Sequence, residues 1–518
     1  MLDGIGRRVR AAGDAAWTTD HRIGVGLVVA SAAVTIAVGF AGPSVVTLTL
    51  GPRTSLLPPW YLPVSWGPLP EWIAVPALWL GILLGALGLW IAWRALAGGW
   101  RPDNHRLFGL GALLSTVTAL VPALTSADVL MYAAYGRIQL LGLDPYETPP
   151  AAIFRQEFDP VLYWTERPWQ DTPSVYGPLA SASQWLAAWL GGGSMHDTVF
   201  WLQLFCLVPF LLTGLILYRL TRDEPAAQSR AVLFTVLNPL MIWAVVAGAH
   251  NEPLALVFAI AGLAMVRRNP LLAGIGIGLA GTVKVSLVWC GLAMLWAYRH
   301  EWRKILQYAV GALIPMGLAY GLWVPKALLA ARRNTGYIFP GGWAQQFHDL
   351  LLRFLNPVVA DTITGWAGWA GMVVIAWMLS RVLPWRLAPG LAEPVDPRRD
   401  PLTIAARTAA LLTVAWVVNA PASLSWYDVM AWAPLALVAI SRLDAILMWR
   451  GAWLSAAYVT SRSVQFSDPI LAVGTFLRDW VSWGAQMLVL AAICWWWWRA
   501  GHEFPFARRS RRRTPTAA

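Results

Sequence analysis

One carboxylate opens a run of polar and aromatic side chains that share a helix face. Read as a helix from Ser126, the segment SADVLMYAAYGRIQ places four such residues at i, i+4, i+7 and i+11: Asp128, Tyr132, Tyr135 and Gln139. A carboxylate beside aromatic rings can take a proton from an attacking hydroxyl group. The alternative is an acid that only complements the helix dipole. The other face is apolar, which predicts an amphipathic helix lying in the outer membrane interface.

A second polar group, His250-Asn251-Glu252, separates two apolar runs and precedes Pro253. Proline at a helix start is ordinary, so Glu252 as a simple capping residue is one interpretation. Three adjacent polar side chains at membrane depth are costly unless they face a cavity, which favours a functional role. Together with Asp128 they could hold a divalent metal ion, but their spacing is not diagnostic. We therefore expect no obligatory cofactor and leave a divalent metal open.

Lys284 lies in the middle of the apolar stretch 270–298, which has basic residues at both ends. Basic residues mark the cytoplasmic side, so the stretch is expected to turn back at Lys284, near the outer face. This lysine either snorkels to the interface or binds an anion such as a phosphate, and we favour the anion. Further phosphate candidates, with rim solvation as the alternative for each, are Lys326, Arg332 and Arg333.

The composition indicates which elements position these residues. Only 13% of the 518 residues are charged, about half of the usual share, and 58% are hydrophobic. Such a chain is neither disordered, nor a nucleic-acid-binding domain, nor an ordinary soluble enzyme. The three cysteines fall inside apolar runs, which offers no disulfide framework or zinc site. We therefore predict a polytopic membrane protein.

The apolar runs predict an all-α protein with about 12–14 transmembrane helices and short interfacial helices in its extracytoplasmic loops. The apolar stretch 178–191 is too short to cross and is expected to dip into the outer leaflet. The predicted organisation is a cytoplasmic N-terminal segment 1–23, a transmembrane domain 24–499 with outer loops 125–177 and 325–362 and a cytoplasmic linker 384–402, and a basic cytoplasmic tail 500–518.

The distribution of Lys and Arg predicts the orientation. With the N-terminus in the cytoplasm, most basic residues fall on the cytoplasmic side. The net charge of +12 is then an orientation signal that suits an anionic inner leaflet, and nucleic acid is not an expected partner. We predict a multi-pass plasma-membrane protein with both termini cytoplasmic and an extracytoplasmic active site.

The motifs, taken in order, resemble those of a known family. DVLMYAAYGR, GLDPY, SVYGPL, HNEP and a lysine in a broken apolar hairpin are similar to the actinobacterial polyprenol-phosphomannose-dependent alpha-1,6-mannosyltransferases. These are GT-C glycosyltransferases that build the lipomannan backbone, and the resemblance covers most of the chain. It implies the GT-C fold, a polyprenyl-phosphate-mannose donor lipid and a mannoside glycolipid acceptor.

The resemblance also implies residue roles. Asp128 matches the family's loop carboxylate and would be the catalytic base. Lys284, with Arg137 or Arg332, would bind the donor phosphate. Sugar or acceptor binding would fall to Tyr132, Tyr146, Tyr176, His250, Asn251, Glu252, Trp426 and Tyr427. Glu252 stands where members often have Asp, and Ser425 precedes Trp426 where Pro is expected.

The implied reaction is mannosyl transfer with inversion, making alpha-1,6 linkages in envelope glycans of the lipomannan and lipoarabinomannan type. The alternatives are a GT-C enzyme with a pentose (arabinofuranosyl) lipid donor or an alpha-1,2 linkage, and a transporter of a lipid-linked glycan. Lopsided outer loops, no visible internal repeat and few mid-span charges argue against the transporter.

Overall fold

The architecture of the described chain is entirely helical, which confirms the predicted all-α class. The computed structural model describes residues 20–42, 44–51, 53, 55–165, 169–330, 337–386, 395–459 and 466–503, and no strand occurs among them. Most of the predicted terminal segments 1–23 and 500–518, part of the linker 384–402, and both Arg332 and Arg333 lie outside these residues.

The helices follow one another along the chain. They are α1 His21–Ala41, α2 Val45–Thr49, α3 Glu71–Ala97, α4 Asn104–Thr118, α5 Asp128–Leu140, α6 Pro150–Phe154, α7 Pro160–Tyr163, α8 Pro178–Leu190, α9 Met195–Leu220, α10 Pro225–Phe234, α11 Pro239–Met241, α12 Glu252–Met265, α13 Pro270–Val283, α14 Val288–Ala297, α15 Trp302–Met316, α16 Lys326–Ala330, α17 Trp343–Leu352, α18 Pro357–Val382, α19 Pro401–Asn419, α20 Val429–Leu435, α21 Arg442–Tyr458, α22 Asp468–Phe476 and α23 Trp483–Glu503. Turns of π-helix continue α11 through Ile242–Val246 and α15 through Gly317–Trp323.

Seven helical segments in the described residues are long and apolar enough to cross a membrane, which confirms a polytopic membrane protein. They are His21–Thr49, Glu71–Ala97, Met195–Leu220, Pro225–Val246, Trp302–Trp323, Pro357–Val382 and Pro401–Asn419. This number is below the 12–14 expected, because several predicted spans form helices shorter than the roughly 20 residues that a crossing needs. The clearest examples are α12, α13 and α14.

Burial separates a central layer from a peripheral one. The most apolar stretch of the segment Pro225–Val246 is completely buried. In the segment Trp302–Trp323, only 11% of the residues of the corresponding stretch are buried. The exposed apolar side chains of this peripheral segment include Leu306, Leu313 and Leu322. Such a surface is stable only against lipid or another apolar partner. The periphery is therefore the expected lipid-facing layer, and the centre is its protein core.

α13 and α14 form a helical hairpin that turns at Lys284, as the sequence predicted. Lys284 has extended backbone angles and ends α13. At the far end of the hairpin, the Tyr298 hydroxyl donates to the Val266 carbonyl at 2.7 Å. Because Val266 closes α12 and Tyr298 closes α14, these two helices finish at the same end of the molecule.

The end of the molecule away from Lys284 holds two partly or fully buried ion pairs. Arg230 binds both carboxylate oxygens of Asp444 at 2.8 Å, and Arg267 binds Asp400 at 2.8 and 2.9 Å. Burial tends to raise the pKa of Asp400, but hydrogen bonds from Arg267 and Thr403 hold this pKa below its ordinary value. Asp400 therefore stays ionised and caps α19.

Candidate active site

Asp128 stands at the first position of α5. The Ser126 hydroxyl oxygen accepts a hydrogen bond from the Asp128 backbone N–H at 3.1 Å, and so fixes where the helix begins. The Asp128 side chain is 20% exposed, although most of the helix behind it is buried. The Asp128 carboxylate can therefore reach solvent, while its backbone is held in place by a hydrogen bond within the protein.

The polar face of α5 is covered by protein, so the prediction of an amphipathic helix lying at the interface is wrong. Tyr135 donates to the Thr172 carbonyl at 2.9 Å, and the Gln139 amide donates to the Ser181 carbonyl at 3.1 Å. Segments that come later in the chain, above all α8, therefore satisfy the polar groups expected to meet water. The result is an enclosed helix that places Asp128 within the fold.

His250 reaches Asp128 from a tight turn after the π-helical segment. Ala249 in this turn has a φ of 53°, a region that favours glycine and that costs other residues about 1 kcal/mol or more. The His250 ring is fully buried and stacks on Trp426 with ring centroids 4.0 Å apart. Its Nδ1 lies 3.5 Å from an Asp128 carboxylate oxygen. The turn and the stacking together hold the imidazole behind the acid.

Glu252 and Lys284 form an ion pair beside this acid. Glu252 is the first residue of α12 and is fully buried, and one of its oxygens binds the Lys284 ammonium group. The same ammonium lies 4.6 Å from the centre of the Tyr427 ring, a cation–π distance. Lys284 is also within electrostatic range of Asp128, and its side chain is 20% exposed. Buried Glu252, partly exposed Asp128 and the Lys284 ammonium group therefore lie close together.

Two tyrosines close the remaining side. Tyr132 and Tyr176 pack edge to face with ring centroids 5.2 Å apart, and both lie within electrostatic range of Asp128. Tyr176 is placed by Gly177, whose N–H donates to the Val283 carbonyl at 3.2 Å. A side chain at Gly177 would begin only 2.2 Å from the Thr282 carbonyl oxygen, so this approach requires glycine.

We call the converging side chains the polar cluster: Asp128, Tyr132, Tyr176, His250, Glu252, Lys284, Trp426 and Tyr427. The sequence singled out each of them, and the structure brings them together from five separate segments. Asn251 lies between His250 and Glu252 and lines an adjoining cavity. Tyr146 stands one layer behind, where its hydroxyl donates to the Tyr176 carbonyl at 3.0 Å.

Two predicted phosphate-binding residues lie elsewhere in the structure. Arg137 binds Asp159 at 2.8 Å, and its Cα is about 13 Å along α5 from Asp128. Lys326 binds Glu147 at 2.7 Å and Asp144 at 3.1 Å, and these two carboxylates raise its pKa above the ordinary value. Their acidic partners, Asp159, Asp144 and Glu147, all lie in the segment between α5 and α8, so both cations stabilise that segment.

Sequence reasoning missed a buried arginine that supports the cluster from behind. Arg450 is fully buried, pairs with Asp428 and donates to the Val417 carbonyl at 2.6 Å. These contacts join α21 to the turn that carries Trp426 and Tyr427. The sequence feature that could have revealed Arg450 is a charged residue inside the apolar stretch 443–459. A charge at membrane depth is costly, so it indicates a structural or functional role.

The arrangement offers a base and a cation, and little support for a metal. In the part of the chain that the structure describes, no group of three or more His, Cys, Asp and Glu side chains is placed to hold a metal ion. Glu252, a potential ligand, is already bound to Lys284. Asp128 has the exposure and the surroundings of a proton acceptor, and Lys284 has those of an anion-binding group.

Comparison with known proteins gives a family match over the first half of the chain. Residues 27–299, which contain all of the polar cluster except Trp426 and Tyr427, match the family described as alpha-(1->6)-mannopyranosyltransferase, N-terminal domain. No solved structure matches.

Several individual proteins are similar. A probable alpha-(1->6)-mannopyranosyltransferase of Mycolicibacterium smegmatis is 27% identical over 62% of this chain and 55% of its own length. Alpha-(1->6)-mannopyranosyltransferase A of Corynebacterium glutamicum is 26% identical over 39% and 46%. The protein of that name from Mycobacterium tuberculosis is 27% identical over 69% and 72%. The chain thus spans about half the length of the first two relatives.

Proposed function

Because this chain belongs to the alpha-(1->6)-mannopyranosyltransferase family, we propose that it is a membrane mannosyltransferase. It transfers mannose from polyprenyl-phosphate-mannose to an alpha-mannoside acceptor, with inversion, and makes alpha-1,6 linkages in envelope glycans of the lipomannan and lipoarabinomannan type. The observation that carries this proposal is the convergence of Asp128, His250, Glu252 and Lys284 at one end of the helical bundle.

Asp128 acts as the general base. Its carboxylate accepts the proton of the acceptor hydroxyl group while that oxygen attacks the anomeric carbon of the donor. The bond from this carbon to the phosphate oxygen breaks, and the phosphate leaves with the electron pair. Attack from the face opposite the phosphate converts a beta-linked donor into an alpha-linked product. His250 is a positioning residue, since its Nδ1 stands 3.5 Å from the carboxylate.

Lys284 stabilises the charge that develops on the leaving phosphate. One of its three N–H donors binds Glu252, and the partial exposure of the side chain leaves the others for a ligand. Glu252 supplies the counter-charge that allows an ammonium group at this depth. A phosphate ester leaves without protonation, so the site needs no separate general acid.

The surroundings of Lys284 suit a lipid-linked donor. Val285 and Val288, one and four residues after the lysine, are 65% and 44% exposed. An apolar surface thus begins where the polar cluster ends, and a polyprenyl chain can lie along it while the phosphate meets the lysine. The arginines at the far end of the bundle, such as Arg267, fit the positive-inside rule and support an extracytoplasmic site with cytoplasmic termini.

The test is sugar transfer by purified protein from radiolabelled polyprenyl-phosphate-mannose to a short alpha-1,6-mannoside. We expect transfer by the native chain and a loss of about 10²–10⁴-fold in Asp128→Asn, because the amide cannot accept the proton. Asp171→Asn is the matched control: this aspartate lies in the same outer loop, forms an exposed ion pair with Arg155, and is expected to be neutral.

Three outcomes would contradict the proposal. Full activity in a folded Asp128→Asn protein would show that Asp128 is not the general base. Transfer from an arabinofuranosyl lipid donor, with none from the mannose donor, would assign the chain to a different sugar. Translocation of a lipid-linked glycan without glycosidic bond formation would instead identify a transporter.

A further inference from the structure

A small cavity adjoins the polar cluster on the side of α8 and α9. It shares Tyr132 and His250 with the cluster, and it is also lined by Asn251 and by Gln184 of α8. The space accommodates a group of about the size of a water molecule or a hydroxyl. A whole sugar ring does not fit, but one substituent of a ring held in the cluster does.

Two carboxamides in this cavity have no partner within the described residues. Gln184 is 2% exposed, and both its Nε2 and its Oε1 are buried without a hydrogen bond. The same holds for Nδ2 and Oδ1 of Asn251. By contrast, the Ser183 hydroxyl in the cavity wall donates to the Ala180 carbonyl at 2.7 Å. Unsatisfied donors and acceptors are therefore concentrated on the two amides and on the neighbouring His250 ring.

The rest of the wall supplies no partner for the amides. It is formed by apolar side chains that include Leu202, Phe205 and Leu254. Buried amides without partners are unfavourable and rare in folded proteins. Two of them facing one small cavity indicate a bound group that is at once a donor and an acceptor. A hydroxyl group has this property and this size.

We propose that Gln184 and Asn251 form a hydroxyl-recognition site, which binds one hydroxyl group of the sugar whose reacting atoms lie in the polar cluster. The hydroxyl donates to one amide oxygen and accepts from an amide N–H. This inference rests on the proposed function and adds Gln184, which no sequence motif indicated, as a specificity-determining residue. The hydroxyl belongs either to the donor mannosyl group or to the acceptor mannoside.

Such a site rejects sugars that lack the hydroxyl, because their binding leaves the amides buried and unpaired. The experiment compares kcat/KM of the full chain for native substrates, for a panel of monodeoxy donors and for a panel of monodeoxy acceptors. We expect one analogue to be worse by about 10²-fold or more with the native protein. The panel that contains it identifies the source of the hydroxyl.

Gln184→Met keeps the length of the side chain and removes its hydrogen-bonding atoms. We expect this variant to process the native substrate as poorly as the sensitive analogue and to lose the discrimination between them. Its thermal stability in detergent should stay the same or rise, since an unpartnered buried amide has been removed.

The matched control is Gln203→Met on the neighbouring helix α9. Gln203 is equally buried, and its Oε1 also has no partner among the described residues, but its Nε2 donates to the Val121 carbonyl at 2.7 Å. We expect this variant to be less stable and to keep the native discrimination.

The possible results distinguish the proposed function from the hydroxyl-recognition site. Absence of transfer by the native chain overturns the proposed function. Transfer by the native chain with unchanged discrimination in Gln184→Met overturns only the hydroxyl site. A clear loss of stability in Gln184→Met also overturns it, because the amide would then be bonded within the resting protein.

Discussion

At the scale of single residues, the ion pair between Lys284 and Glu252 determines which roles these two side chains can have in the site. The lysine was recognisable from sequence as an isolated charge in an apolar stretch, whereas its partner was not. Glu252 is 32 residues away, and only the hairpin of α13 and α14 brings the two charges together. A buried pair of this kind is a poor source of stability, yet either member alone is strongly unfavourable.

Because removing one member of the pair costs more than removing both, variants of the pair can distinguish a structural role of Lys284 from a catalytic role. Lys284→Met leaves Glu252 as an unpaired buried carboxylate and is expected to lower the free energy of unfolding by about 3–5 kcal/mol. The double variant Lys284→Met/Glu252→Gln has no orphaned charge and is expected to regain most of this loss while transfer stays low. Thermal unfolding in detergent and single-turnover transfer measure the two effects. Recovery of transfer in the double variant would show that the lysine has only a structural role.

The candidate site residues could be singled out from sequence because each stands in a short local pattern. The HNE triplet, the WYD triplet and the aspartate before an apolar helix are visible without a fold. Their contacts are not, since the stacking of His250 on Trp426 depends on a turn and on a helix from distant parts of the chain. The ion pairs of Arg137 and Lys326 were not predictable for the same reason, because their acidic partners become neighbours only when the chain folds.

At the scale of elements, one backbone contact connects the loop before α8 to the hairpin of α13 and α14. Gly177 lies against the last turn of α13 with no space for a Cβ atom, and it carries Tyr176 into the cluster and Pro178 into α8. The position of two elements thus depends on one glycine.

Gly177→Ala is expected to push the loop from α13 and to destabilise the protein by about 1–3 kcal/mol. Transfer should fall as well, because Tyr176 moves with the loop. Gly109→Ala is the control, since a Cβ there meets no atom within 4 Å and replacing a helical glycine favours the helix. Melting curves and initial rates are the measurements, and equal behaviour of the two variants would contradict the role of this contact.

The sequence predicted the helix α5 and the turn of the hairpin more reliably than it predicted their surroundings. The break at Lys284 is local and was recognised, whereas the helix expected from Ser126 begins at Asp128, with Ala127 as its cap. The burial of the polar face of α5 depends on α8 and on the loop around Thr172, about 40 residues later. A polar stripe on a helix can face water or face hydrogen-bonding groups of the protein, and its periodicity is the same in both cases.

At the scale of the whole molecule, the two ends of the bundle differ in charge and in construction. The polar cluster occupies one end, and the Arg230–Asp444 and Arg267–Asp400 pairs occupy the other, about 21 Å away along α12. The segment around Leu56 lies at the cluster end, because the neighbouring Pro59 carbonyl contacts His196 at the start of α9.

This polarity predicts which residues are accessible from each side of the membrane. Leu56→Cys should react with a membrane-impermeant maleimide in intact cells, whereas Asp223→Cys, in the turn before α10, should react only after permeabilisation. The background must lack Cys206, Cys290 and Cys494, the last of which is exposed. Gel-shift labelling provides the measurement, and labelling of Asp223→Cys in intact cells would reverse the proposed orientation.

The shortness of α12, α13 and α14 has a consequence for biogenesis. With 14, 14 and 10 residues, none of the three is long enough to be stopped in the bilayer on its own during translocation. They should therefore leave the translocation channel as one unit, with Lys284 and Glu252 already neutralising each other. The Lys284–Glu252 pair then also assists co-translational entry into the lipid, and Lys284→Met, which breaks the pair, should accumulate in the membrane at a lower level than the double variant Lys284→Met/Glu252→Gln.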